Sequence, residues 1–389
     1  MTIMKIKTIK QEIQYKNKNK NKNKNKNKKT KKRSINYLKN QKNNKSIHQP
    51  LDEKVLTNLD YPYLEYFTNK INIKKSVDEL GKVFNPIIIN EIPGSTFSIV
   101  PYQNKNGKET VIIFKENYYK NKKYYNITDY FSNRCRSICI FKNPKKKEQL
   151  SPFQYYQNNK NNIHNYLKNR YGKVSYYNLR EHIYLNNKEC SNFNTTIVVS
   201  LLNLFKPNHW LDFSAGWGDR LIGAIAYGKC KYTGVDPSEC MNPNYHNMIK
   251  TLVPKKKRHN YKIIQSGFET LTSKEIPNAT YDLIFTSPPF FDLEVYEKKE
   301  KQSIHQYDNL QKWLQGFLYP TLKTCYRALE VNGTLALYIS DFYNVKYTDT
   351  MKDWIINNLP NLKYMGNIYW WNENNSKVIR PIFTWRKIK

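Results

Sequence analysis

The chain has 389 residues, of which 39% are hydrophobic and 14% aromatic, and its formal net charge is +34. That length and apolar content exclude a wholly disordered chain and leave room for two domains and a tail. So basic a body points to an anionic partner, nucleic acid first, although Lys, Asn, Ile and Tyr also rise together in AT-rich coding sequence.

Six cysteines, at 135, 139, 190, 230, 240 and 325, form no CxxC pair and no Cys–His cluster at zinc spacing. They read as buried or idle thiols of a reducing compartment, with no metal site. No apolar run reaches membrane-spanning length, and the opening MTIMKIKTIK lacks the apolar core of a signal peptide. The expectation is a soluble, intracellular protein.

In chain order, residues 16–33 read KNKNKNKNKNKNKKTKKR, which cannot bury a face and repels itself. Residues 1–50 hold seventeen Lys and Arg against the single acid Glu12, so +16 of the +34 sits there and +18 on the rest. A disordered tail is expected: an accessory phosphate contact, a nuclear address, or a slipped codon repeat without a specific role. From about Leu51 the composition turns globular. Residues 61–71 read as helix and 84–92 as extended, and residues 97–100 and 110–114 predict a hairpin around Asn106-Gly107. Tyrosines and cations then interleave through Tyr118-Tyr119-Lys120, Lys122-Lys123-Tyr124-Tyr125, Tyr130-Phe131, Arg134, Arg136, Lys145-Lys146-Lys147 and Tyr155-Tyr156. Aromatic faces among cations grip single strands, and half-buried tyrosines of a small core give the same pattern. Residues 51–170 are therefore an α+β accessory region and the candidate for substrate recognition. Asn192-Phe193-Asn194-Thr195-Thr196 reads as the capped start of an apolar helix over 197–205.

The stretch His209-Trp210-Leu211-Asp212-Phe213-Ser214-Ala215-Gly216-Trp217-Gly218-Asp219-Arg220 runs from an apolar strand into an acid, a glycine-spaced turn and a helix. Glycines at 216 and 218 allow a sharp turn close to a ligand, and the following helix aims its free N–H groups into it. The next apolar strand, Lys231-Tyr232-Thr233-Gly234-Val235, ends in Asp236, where such folds hydrogen-bond a ribose diol. A third strand over 261–265 leads to Ser266-Gly267-Phe268-Glu269. A fourth, Tyr281-Asp282-Leu283-Ile284-Phe285-Thr286, empties into Ser287-Pro288-Pro289-Phe290. Residues 310–329 read as a long amphipathic helix. Asn332-Gly333 reads as a turn, 334–340 as the fifth strand and 351–359 as a helix, with 363–371 and 378–386 as a closing antiparallel pair.

With these motifs in this order, residues 171–389 resemble the class I S-adenosylmethionine-dependent methyltransferases. They are most similar to the amino-methyltransferases that carry D-P-F-x-G-x-G and [DNS]-P-P-[YFW] at the ends of strands one and four. Phe213 and Ser214 depart from the commoner Pro and Phe. The resemblance implies a Rossmann-like seven-stranded α/β sheet and S-adenosylmethionine as cofactor. It places Asp212, Ser214, Gly216, Gly218, Asp236 and Phe268 on the cofactor, with Glu269 as an alternative adenine partner. It also implies that the helix before strand one contributes at the methionine end, where packing explains the same residues equally well.

Ser287, Pro288, Pro289 and Phe290 would carry the transfer. A base amino group is a poor nucleophile, because its lone pair is delocalised into the ring. The Ser287 hydroxyl and Pro288 carbonyl would accept its two N–H bonds and turn that lone pair outward, on a loop stiffened by the prolines. Phe290 would stack on a base that has left its duplex. Asp292, Glu294 and Tyr296 are candidates for the pocket mouth. Absence of a Pro-Cys dipeptide disfavours cytosine-C5 chemistry. The expected activity is N-methylation of adenine N6 or cytosine N4, in DNA before RNA. Alternatives are a protein glutamine or asparagine amide, or a catalytically silent nucleic-acid-binding module.

Overall fold

The computed structural model describes residues 58–66, 68–83, 86–87, 112–116, 118–143, 148–296, 302–342, 344–372 and 381–389, all within the unit Pro50–Lys389. The expected tail, residues 97–100 and the turn at Asn106-Gly107, and Lys145–Lys147 lie outside them.

The helix expected over 61–71 is replaced by a 3-10 turn, Leu64–Tyr66, and α1, Lys70–Leu80. Pro62 lies in the first stretch, and Asn69 starts the helix later by accepting from the Asn72 N–H at 3.0 Å. Two short strands follow, β1 (Pro86–Ile87) and β2 (Ile112–Glu116), then α2 (Tyr118–Ser137) and β3 (Ile140–Phe141). Helices α3 (Pro152–Tyr171) and α4 (Tyr176–Asn186) both begin with serine capping boxes, at Ser151 and Ser175. Tyr61, Tyr63, Tyr156, Ile163 and Leu179 are buried in a small core of their own. Tyr124 and Phe131 are buried in the main one.

Several aromatics read as base-stacking candidates therefore serve packing instead. Arg136 is also unavailable to phosphates: it is buried against Asp129 and Glu189. Glu189 further binds Arg180 at 2.7 Å and accepts from the Tyr61 hydroxyl at 2.9 Å. Exposed Arg134 lies over the Tyr63 ring and pairs with Glu65.

The chain then alternates strand and helix. α5 (Thr195–Phe205) is buried almost all round, as its unbroken apolar run requires, and Asn194 stands at its N-cap without a side-chain cap bond. β4 (His209–Asp212), α6 (Asp219–Tyr227), β5 (Lys231–Val235), α7 (Asn242–Leu252), β6 (Tyr261–Ile264) and β7 (Tyr281–Thr286) follow. β8 (Glu294–Val295) pairs antiparallel with β3, so the loop after the Pro-Pro motif is tied to the N-terminal region. α8 (Ser303–Gln306), α9 (Leu310–Trp313), a π-helical turn over Leu314–Leu318 and α10 (Tyr319–Ala328) come next. The long helix expected over 310–329 is present from Leu310 to Ala328, with a π-helical turn inside it. β9 (Leu329–Tyr338) begins earlier than expected, and its ladder is broken at Asn332, which takes φ +68°. α11 (Thr348–Asn358), β10 (Leu362–Asn372) and β11 (Pro381–Lys387) complete the chain, the last two antiparallel.

The main sheet runs β1-β2-β10-β11-β9-β7-β4-β5-β6. β9, β7, β4, β5 and β6 are mutually parallel, and their apolar runs lie between helix layers, with Trp210, Leu211 and Leu283–Phe285 fully buried. The sheet has nine strands where seven were expected. The addition is β1 and β2 from the N-terminal region: β2 joins β10 in parallel, pairing Ile112 with Ile368 and Phe114 with Trp370.

Candidate active site

Parallel strands deliver their C-terminal ends to one edge of the sheet, and in such folds ligands bind outside those ends where the strand order reverses. Here β4 lies between β5 and β7, and the loops leaving all three open on a cavity of about 220 Å³.

The turn after β4 forms one wall. Gly216 and Gly218 adopt φ +60° and +88°, conformations costly for any residue with a Cβ. A Cβ on Gly218 would also lie 2.7 Å from Met248 Sδ, so this glycine serves close packing against α7. Ser214 and Gly216 line the cavity, whereas Gly218 and Asp212 do not. Asp212 is fully buried behind the turn. Arg220 Nε donates to both its oxygens, at 3.0 and 2.9 Å, and the Tyr232 and Thr286 hydroxyls donate at 2.8 and 2.7 Å. Arg220 also donates to the Ser214 carbonyl. Asp212 thus locks β4, β5, β7 and α6 together, and its charge is neutralised before any ligand arrives.

Asp236 lines the cavity at the end of β5. Its Oδ2 accepts from the Gly216 N–H at 2.7 Å and its Oδ1 from the Ser238 N–H at 3.0 Å. Burial pushes its carboxyl up to about 6, and the two N–H groups oppose that rise. Phe268, 2% exposed, lines the next stretch and stacks on Phe213 with ring centroids 5.1 Å apart. Glu269 lies beside it on the wall. Burial raises its carboxyl above the ordinary range, and its Oε2 has no hydrogen-bond partner among the described residues.

Ser287, Pro288, Pro289 and Phe290, directly after β7, line the same cavity. Phe290 leans on the Tyr338 ring, 5.8 Å away, and Phe291 reverses the chain with φ +44°. Of the mouth candidates, Glu294 and Tyr296 line the cavity. Glu294 accepts from the Ser191 N–H at 3.0 Å, while Asp292 pairs with Lys142 at 3.1 Å. Ile138 and Phe141 bring the N-terminal region into the wall.

Sequence reasoning missed three further features of the wall, two single residues and a bonded pair. Asn192 and Asp219 line the cavity beside the first turn, and the charged pair Asp219-Arg220 right after the glycines was the available signal. The third is a disulfide. Cys135 and Cys240, whose Cα atoms lie 5.8 Å apart, are bonded and line the cavity, joining α2 to the segment before α7. The expectation of idle thiols therefore holds only for Cys139, Cys190, Cys230 and Cys325, all free and buried. Among the described residues no group of three His, Cys, Asp or Glu could hold a metal, and no helix is long and apolar enough to cross a membrane.

No family model matches the chain, and no curated protein matches it. Among solved structures it is similar to TrmN from Thermus thermophilus, at 13% identity and TM-score 0.35, covering 50% of this chain and 49% of that one. It is similar to the putative methylase HI0767 from Haemophilus influenzae at 10% identity and TM-score 0.32, over 52% of this chain and 94% of that one. A third is the 1,6-didemethyltoxoflavin-N1-methyltransferase of Burkholderia thailandensis, solved with S-adenosylhomocysteine, at 13% identity and TM-score 0.33, over 50% of this chain and 76% of that one. Likenesses this distant assign no activity, which leaves the residues of the cavity to carry one.

Proposed function

We propose that the chain is an S-adenosylmethionine-dependent N-methyltransferase acting on the exocyclic amino group of a DNA base, adenine N6 or cytosine N4. One observation carries the reading: Gly216, Asp236 and Phe268 share a single cavity with Ser287–Phe290.

The residues present fit the cofactor. Asp236 is an acidic acceptor at the second strand end, suited to a ribose diol, and Phe268 offers an aromatic wall to adenine. Glu269 Oε2 is a buried acceptor in need of a donor, as an adenine amino group would be. When bound, the cofactor supplies an electrophilic methyl group on a sulfonium.

The chain's own contribution is positioning. Ser287 and the Pro288 carbonyl accept the target amino group's N–H bonds and direct its lone pair into the cavity. Pro288 and Pro289 hold those acceptors in place before substrate arrives. Phe290, backed by Tyr338, gives a face on which an extruded base stacks. Phe290, Phe317 and Tyr338 give that part of the cavity an apolar lining. The net +34 supports a polyanionic substrate, and residues 51–170, which supply Ile138 and Phe141 to the wall, would present it.

The test is transfer of a labelled methyl group to duplex DNA, single-stranded DNA, RNA and bulk protein. Label in DNA is expected. Label in RNA alone would move the substrate class, and label in protein amides would overturn the nucleic-acid reading.

A further inference from the structure

An aromatic ring left in water gains the fold little, so a row of such rings set among cations marks a surface that meets another molecule. Tyr155, Tyr166 and Tyr171 of α3, with His182 of α4, form such a row. The His182 ring joins two of them: its Nε2 lies 3.4 Å from the Tyr155 hydroxyl, and its centroid 5.1 Å from that of Tyr166. Arg170 then fixes Tyr166 and Tyr171. Its guanidinium donates to their hydroxyls at 2.8 and 3.0 Å and lies 5.7 and 5.4 Å from their ring centroids. Tyr166 is 45% exposed and Tyr171 39%, and neither belongs to the small core that takes Tyr61 and Tyr156. From Tyr155 to Tyr171 the helix rises about 24 Å, room for several bases.

The charge around the row is positive. Residues 151–188 carry six Lys and Arg against the single acid Glu181. Arg180 is spent on Glu189, but Arg170 makes no ion pair among the described residues, so its charge is open to a phosphate. The hairpin is also rooted beside the cavity. Asn187 Nδ2 closes its base on the Leu150 carbonyl at 2.6 Å, and Lys188 lies 4.4 Å over the ring of Phe141, a residue of the cavity wall.

We propose that the α3–α4 hairpin is a stacking platform for an unpaired strand of nucleic acid, with Tyr155, His182, Tyr166 and Tyr171 under its bases and Arg170 on its phosphates. The platform deepens the proposed function and rests on its nucleic-acid substrate. A target base outside its duplex leaves neighbours to be held, and ring faces hold them whatever their sequence. A duplex hides its base faces and meets only the cations of the hairpin.

The experiment is fluorescence anisotropy of the full chain with three labelled probes of one length: oligothymidylate, the same strand made abasic, and a blunt duplex. Comparing the thymidylate with the abasic strand cancels the phosphate attraction of the whole basic chain and leaves the stacking. The wild type is expected to bind thymidylate about tenfold or more tighter than the abasic strand. Tyr166→Ala together with Tyr171→Ala should erase most of that preference and leave duplex affinity unchanged. Tyr166→Phe together with Tyr171→Phe keeps the rings and should keep the preference. Arg170→Gln should weaken both single strands several-fold and lessen their salt dependence. Equal binding of the thymidylate and abasic strands by the wild type overturns the platform. So does a thymidylate preference that survives in the alanine pair, or a loss of all three probes alike in that pair. None of these results touches methyl transfer to DNA. A wild type that binds none of the probes takes away the nucleic-acid substrate itself, and the platform with it.

Discussion

The N–H of Gly216 donates to Asp236 Oδ2 at 2.7 Å, and the Ala215 N–H donates to the Val235 carbonyl at 2.9 Å. The turn after the first parallel strand and the end of the second are thereby one rim of the cavity, set before any ligand binds. The glycine conformation at 216 and the acid at 236 depend on each other.

Asp236→Ala removes both the rim bond and the acceptor facing the cavity. S-adenosylhomocysteine affinity should fall about tenfold or more, with Asp236→Asn in between, since a charged acceptor exceeds a neutral one. Calorimetry decides it, and an unchanged dissociation constant would remove Asp236 from the site.

Ser287→Ala and Phe290→Ala act on the target rather than the cofactor. Each should lower turnover about a hundredfold or more while S-adenosylhomocysteine binding stays within about threefold, because only acceptor positioning is lost. Loss of cofactor binding in both would contradict the assigned roles.

The buried pair Asp212–Arg220 predicts a stability effect. Asp212→Asn or Arg220→Met strands one buried charge and should cost about 3–5 kcal/mol. The double variant strands none and should cost less than the two singles together. Urea midpoints measure this, and strict additivity would show that the two side chains are not coupled.

Glu189 links stability to pH. Arg180 and Arg136, with the Tyr61 hydroxyl, outweigh burial and hold its carboxyl down from 4.5 to about 2. A depressed carboxylate stabilises the fold above its unfolded value, and that contribution is lost as pH falls towards 2. It is worth about 3 kcal/mol, at about 1.4 kcal/mol per pH unit. The stability gap between wild type and Glu189→Gln should therefore close between pH 5 and pH 2 in denaturant titrations. A constant gap would mean the carboxylate is not held ionised by these partners.

Local signals made the C-terminal half legible. The strands around Trp210 and Leu283, the turn at Gly216 and the Pro-Pro loop at 288–289 are short patterns that parallel α/β order brings to one edge. What escaped was nonlocal. Ile112 pairs with Ile368 across some 250 positions, and no local pattern announces a strand that extends a distant sheet. Asp212 is the acid a motif selects, yet its partner Arg220 lies one helix start away and turns it into a structural group. Cys135 and Cys240 bond only because α2 crosses the start of α7. Tyr156 and Arg136 carried a surface pattern in a sequence where the same residue types also build the core.

The most direct measurement is mass spectrometry of nucleosides from DNA incubated with the protein and S-adenosylmethionine bearing a deuterated methyl group. The label is expected on an exocyclic nitrogen, as N6-methyldeoxyadenosine or N4-methyldeoxycytidine, and none after Ser287→Ala. Label on carbon 5 of cytosine, or unlabelled DNA from a protein that binds S-adenosylhomocysteine, would contradict it.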